Sequence, residues 1–371
     1  MGEEPVTRIR GDEDRPPEVG IGIALSGGGY RAMLYHLGSM LRLFELGVLH
    51  QAKRISSVSG GSITSGKVAL ELSRLHSRDD FVEHVLGPIR KLASTTIDAP
   101  SIAGGVLLPG SVADRVSGYY DRHLFHGATL QDLPDAPRFI INATNLETGS
   151  LWRFMKPYMR DYQVGEIVAP TTSLADAVTA SSAFPPVLSP FTLAVEPSDF
   201  GRVEQGIDRA FLSDITLTDG GVYDNLGLET VYKRCRTLLV SDAGGALVPD
   251  PAPAADWARH AKRVLDVIHG QVSSVRTRQL VQALDGGERA GAYWGVRTDA
   301  AKFGVETVLP APFARTTELA QTPTRLKRLG DDIQERLINW GYVACDAALR
   351  GRWAAAPPGP PASAPYPERG I

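Results

Sequence analysis

The first long apolar run, "VGIGIAL" (19–25), has the length of a strand and no polar alternation, which suits a strand buried on both faces of a parallel sheet. "SGGG" (26–29) reads as a turn. Residues 30–49 place Met33, Leu37, Met40, Leu41, Phe44 and Leu46 at helical spacing. "RISSV" (54–58) is a second strand and "GSITSGKVALELSRLH" (61–76) a second helix. A βαβ unit crosses over right-handedly, so both strands end on one edge of the sheet. The turns at 26–29 and 58–61 then lie side by side, each opening a helix, where sites of open α/β sheets are found.

Further on, "RFIINATNL" (138–146) and "LWRFM" (151–155) read as a hairpin turning at "ETG". Residues 173–184 form a helix stopped by Pro185 and Pro186. A strand over 210–221 ends in a glycine turn, 225–233 is helical, and 237–245 is another strand and turn. After the linker 249–256, helices are expected at 257–284 and 324–349. Residues 1–18 and the Pro/Ala-rich 354–371 are expected to be disordered. The single domain expected over 19–350 has a motif-bearing core (19–245) and a helical C-terminal part (257–350) packed on the sheet. Residues 99–113, "APSIAGGVLLPGSVA", hold no charge and read as a mobile apolar lid or a buried connection.

Composition narrows the function classes. The chain has 371 residues, 43% hydrophobic and 22% charged, with a net charge of -3 and pI near 6.3. That gives no electrostatic footprint for nucleic acid and no strong pull to anionic membranes, while leaving hydrophobic contact with lipid open. Cys235 and Cys345 read as buried thiols, and no histidine stands at ligand spacing to either. His123 and His126 lack a second pair, so no metal is expected. The amino terminus has no apolar signal-peptide run, and Val6 stands where a myristoylation signal needs Ser or Thr. No apolar run reaches the roughly 18 residues of a membrane span. A cytoplasmic protein, with at most peripheral contact with a membrane, is the expectation.

Three stretches carry chemistry. "LSGGGYR" (25–31) turns free backbone N–H groups toward one point, a place for negative charge. Gly27, Gly29 and Ala32 match a dinucleotide fingerprint, but the next strand ends in serines where an acid should stand. Ser57-Val58-Ser59-Gly60-Gly61 has the small residues of a nucleophile elbow, with Ser59 at the apex and Ser57 in place of the usual glycine. Alone, such a turn is more often packing than catalysis. If Ser59 is a nucleophile, the glycine loop beside it can hold an oxyanion, each donor contributing about 3–4 kcal/mol to the transition state. No histidine falls in a turn of this edge. "TDGGVYDNLG" puts Asp219 at a strand end before two glycines; Asp208, Asp214 and Asp224 lack that setting. By itself this is an ordinary Asp-Gly turn, but a partly buried Asp there would have its pKa raised toward a useful base.

"SGGGYR", "SVSGGS" and "DGG", in that order, resemble the patatin-like phospholipases, and "ASSAFPPVL" (180–188) is similar to the segment that family carries between elbow and Asp. The resemblance covers roughly residues 19–245. It implies a three-layer α/β/α fold with a mainly parallel central sheet. It also implies a Ser–Asp dyad of Ser59 and Asp219, and an oxyanion hole of Gly27, Gly28 and Gly29 fixed by Arg31. Gly60 and Gly61 would complete the elbow, Gly220 and Gly221 the Asp-Gly-Gly turn. The activity implied is hydrolysis of fatty-acyl esters of phospholipids or lysophospholipids through an acyl-serine, with a lipid as partner and no cofactor. Neutral lipids or acyl thioesters are the nearer alternatives; a dinucleotide-binding oxidoreductase or an inactive scaffold are the distant ones.

Overall fold

The computed structural model describes residues 16–98, 111–186, 188–358 and 363–371. Among them, eleven strands form one sheet: β1 (Glu18–Leu25), β2 (Ala52–Val58), β3 (Arg138–Asn145), β4 (Ser150–Phe154), β5 (Tyr158–Asp161), β6 (Gly165–Val168), β7 (Phe191–Leu193), β8 (Arg202–Val203), β9 (Ile215–Asp219), β10 (Cys235–Asp242) and β11 (Ala290–Gly295). Their order is β11-β10-β1-β2-β3-β4-β5-β6-β8, with β9 joining β3 to β7. From β11 to β3 every neighbouring pair is parallel. Beyond β3 every pair is antiparallel, so the sheet as a whole is mixed.

Period-two alternation sorts the parallel half into two cores. Ile23, Leu25 and Leu239 face a large core with helices α1 (Gly29–Glu45) and α2 (Gly60–Glu71). Ala24, Leu238 and Val240 face a smaller one with Leu226, Val231 and Leu280. This is the expected α/β/α layering. Helix α3 (Leu174–Ser182) adds to the larger side, and Leu280 belongs to α4 (Trp257–Asp285), whose first turn is capped by the Asp256 carboxylate at 3.0 Å from Arg259 N.

The last long helix, α5 (Asp331–Arg352), packs chiefly on α1, where a seat on the sheet was expected. A Cβ on Gly341 would lie 1.8 Å from the Tyr35 carbonyl oxygen, and one on Gly38 1.9 Å from that of Ile338. The two helices therefore cross backbone to backbone. α5 starts at Asp331, later than the expected 324, because Leu329 N bonds Ala93 O (2.9 Å) and Leu326 O takes Ile97 N (2.8 Å). The helix expected over 225–233 is reduced to Glu229–Tyr232, because Gly227 (φ 65) separates it from a preceding helical turn, Gly221–Asp224. The Asp224 carboxylate caps the break, accepting Glu229 N at 2.7 Å.

Residues 363–371 do not form the disordered tail that their Pro and Ala suggested. Buried Asn339 needs partners for its amide, and this segment's backbone supplies them: Nδ2 donates to Tyr366 O (2.7 Å) and Gly370 O (2.8 Å), and Tyr366 N donates to Oδ1. Residues 1–15 and 99–110, the latter most of the expected apolar lid, lie outside the described residues. No described helix is long and apolar enough to cross a membrane.

Candidate active site

Strand register brings the two sequence-predicted residues together. On one edge of β3, β2 pairs as far as Val58 with Asn142, and there the chain turns away at Ser59. β9 takes over the same edge from the opposite direction, and its last residue, Asp219, pairs with Ala143. Asn142 and Ala143 are neighbours about 3.3 Å apart along the strand. The parallel strand carrying the serine and the antiparallel strand carrying the aspartate thus meet head-on.

Ser59 sits at the apex with φ 52 and ψ -121, a strained conformation for a residue with a side chain. Its neighbours hold it there. Ser59 N donates to Ser181 Oγ (3.0 Å); Ser181 meets Ser62 Oγ (2.9 Å), which donates to Ser57 Oγ (3.1 Å). Ser57, which fills a position usually held by glycine, in turn donates to Ile140 O at 3.3 Å. The elbow lies so close to the glycine loop that a Cβ on Gly60 would fall 2.1 Å from the Gly29 oxygen. Gly61 is equally buried, under Leu25 and Ser26.

Of the three loop glycines, Gly27 is not a free donor: its N–H is given to Asn225 O at 2.9 Å. Gly28, at φ 143, and Gly29 keep unpaired N–H groups among the described residues and line the cavity with Ser59. The loop is anchored twice. Buried Arg31 donates to Ala243 O (2.8 Å), Ala320 O (3.1 Å) and Thr322 O (2.7 Å). Burial draws its pKa down to about 10, which leaves it charged at neutral pH. His36 holds Ser26 from below, with Nε2 2.9 Å from Ser26 O and Nδ1 2.9 Å from Ser241 Oγ. Burial pushes His36 down to about 3, so it is a neutral strut.

Asp219 is 1% exposed. Burial raises its pKa to about 7, opposed by the Gly221 N–H, which donates to Oδ1 at 2.7 Å, and by the nearby Ser59 hydroxyl. Oδ2 has no hydrogen-bond partner. Its backbone is fixed by Thr144 Oγ1, which donates to Asp219 O (2.9 Å), and by Asp219 N donating to Ala183 O (3.0 Å). Gly220 N donates to Ser181 O (3.3 Å), so Ser181 braces both arms. A buried carboxylate poised near neutrality beside a strained serine can take a proton from it.

These groups open into a cavity of about 570 Å³ walled by Phe184, Leu247, Val248, Leu326 and the first half of α4. His269 of α4 lies in the wall against the Gly221 backbone, and burial lowers its pKa. No local sign marks His269 in the sequence, where it sits in a helix with no motif around it. Ser181 did have a signal, in "ASSAFPPVL". At the amino end of α1 the Tyr30 N–H is already donated to Arg325 O (3.1 Å), and a Cβ on Gly29 would lie 2.8 Å from the Arg325 backbone, so part of the donor set a pyrophosphate would use is taken. No group of three or more metal-ligating side chains is gathered among the described residues.

The family model described as patatin-like phospholipase matches residues 23–232. Human GIVD cytosolic phospholipase A2 is similar in structure, with a TM-score of 0.52 at 12% identity over 91% of this chain and 62% of that one. VipD from Legionella pneumophila aligns with a TM-score of 0.37 at 14% identity, over 91% and 67% of the respective chains. At such identity the human enzyme speaks to the fold alone, and this chain spans less than two thirds of its length. No curated protein matches the chain in sequence.

Proposed function

The chain belongs to the patatin-like phospholipase family, and on that footing we propose that it is a lipid acyl hydrolase with Ser59 as nucleophile and Asp219 as base. Ser59 Oγ attacks the ester carbonyl carbon while its proton passes to Asp219 Oδ2. The carbonyl electron pair becomes an oxyanion held by the Gly28 and Gly29 N–H groups. Collapse expels the alcohol, which takes the proton from Asp219, and leaves the acyl group on Ser59. Asp219 next accepts a proton from water as the oxygen attacks the acyl carbon. The second collapse returns that proton to Ser59 Oγ and releases the fatty acid.

The observation that carries this reading is the unpartnered Oδ2 of buried Asp219, whose carboxyl feels the hydroxyl of a serine held at φ 52. A glycerophospholipid or lysophospholipid ester is the substrate class favoured by the family; neutral lipids and acyl thioesters would be cut by the same atoms. The test is a lipid panel with wild type, Ser59→Ala and Asp219→Ala, alongside labelling by a soluble fluorophosphonate. Wild type should release fatty acid and take the label. Equal release by all three proteins, or labelling of Ser59→Ala, would overturn the dyad.

A further inference from the structure

Across the antiparallel half of the sheet, one transverse row runs through directly opposed residues: Asn142 on β3, Arg153 on β4, Arg160 on β5, Glu166 on β6 and Arg202 on β8. Directly opposed residues point to the same face, with Cβ atoms about 5 Å apart. Arg153 and Arg160 are therefore two like charges set side by side, an arrangement that lowers stability. Both are partly buried. The Nε of each is shut away from solvent without a partner, and neither guanidinium donates a hydrogen bond to any described residue. Buried arginines elsewhere in the chain are satisfied: Arg42 lies 2.9 Å from Asp346, and Arg31 holds three carbonyl groups.

Charge is out of balance at the same place. Arg160 has Glu166 at 3.6 Å, beyond hydrogen-bond range, and Arg153 has no ion pair among the described residues. Arg234 adds a third positive charge close enough to act on Arg153. Asp161 is also within electrostatic reach, but it follows Arg160 in the strand and so points to the other face. Its carboxylate is engaged there by Asn145 Nδ2 (3.1 Å), Gln163 N (2.8 Å) and Thr148 Oγ1. We propose that Arg153 and Arg160 together hold a phosphate dianion, either the free ion or the phosphomonoester of a small soluble molecule. A carboxylate brings one charge and two oxygens. A phosphomonoester brings close to two charges and three acceptor oxygens, enough for two guanidinium forks at once.

This site is independent of the acyl-hydrolase reading, and its occupancy is measured without catalysis. Isothermal titration of the full chain with inorganic phosphate, and separately with glycerol 3-phosphate, at fixed ionic strength should show one site per chain. Arg153→Gln and Arg160→Gln, which keep a polar side chain and remove the charge, should each weaken binding about tenfold or more. Tighter binding of glycerol 3-phosphate would assign the site to an ester, and tighter binding of inorganic phosphate to the free ion. Thermal unfolding adds a sign. Without phosphate, Arg153→Gln should melt above wild type, because the repulsion between the two arginines is gone. With saturating phosphate the order should reverse, since wild type alone gains the stabilisation of a bound ligand. No heat from either ligand would overturn the proposal, and so would equal binding by wild type and both variants. An Arg153→Gln chain that melts below wild type with and without phosphate would make the pair a structural one, and would overturn it as well.

Discussion

Ser59 and Asp219 reach one point by different means. The serine arm is local: strand, the single elbow residue Ser59 and helix follow one another in about twenty residues, and small side chains let the elbow press on the glycine loop. The aspartate arm is a product of register: β9 arrives from the other direction, and its acid is tuned by burial among residues distant in sequence. The serine's strain is written in neighbouring residues, and the aspartate's basicity is written across the fold.

The largest effect should come from breaking either arm. Ser59→Ala or Asp219→Ala should each lower kcat/KM on the order of 10⁴-fold, and the double variant should lose little more, because the two act as a unit. Additive losses would show two independent contributions. The serine arm can be broken from next door. Gly60→Ala drives a Cβ to 2.1 Å from Gly29 O, and should cost about 1–3 kcal/mol in denaturant titration. Its kcat should fall more than its KM rises.

The aspartate arm can be read by pH. With its pKa near 7, Asp219 must lose its proton to act, so kcat/KM should fall about tenfold per unit below pH 7. Stability runs the other way. The native state holds this proton up to about pH 7 and the unfolded chain only to about 4, so native stability falls as pH rises between those values. Asp219→Asn should therefore be inactive yet more stable than wild type at pH 8, by up to about 4 kcal/mol. An unchanged denaturation midpoint would deny the buried charge. The smallest effect is expected at Ser57→Gly, which removes a hydroxyl from the chain that steadies Ser59. Stability should drop about 1–2 kcal/mol, with the rate altered less than about tenfold.

What the sequence made legible follows the same division. β1, the glycine turn, α1, β2 and the elbow were readable because periodicity and small residues are local signals. Asp219 was distinguishable from Asp214 and Asp224 by its glycines, but no local signal says that β9 runs antiparallel into the end of β2. Gly27 looked identical to Gly28 and Gly29 until Asn225 O, almost two hundred residues on, was found to occupy its N–H. His36 read as a mid-helix residue, since its partners Ser26 and Ser241 meet only across the sheet. The tail at 363–371 has the composition of a disordered segment, and its order comes from Asn339.

The clamp on Arg31 also sets an order in time. Its carbonyl acceptors lie 212, 289 and 291 residues further along the chain. A chain still emerging from the ribosome holds Ser59 and its elbow long before it holds either Asp219 or the clamp. On the proposed mechanism the centre closes late, so an ester met during synthesis would encounter Ser59 without Asp219.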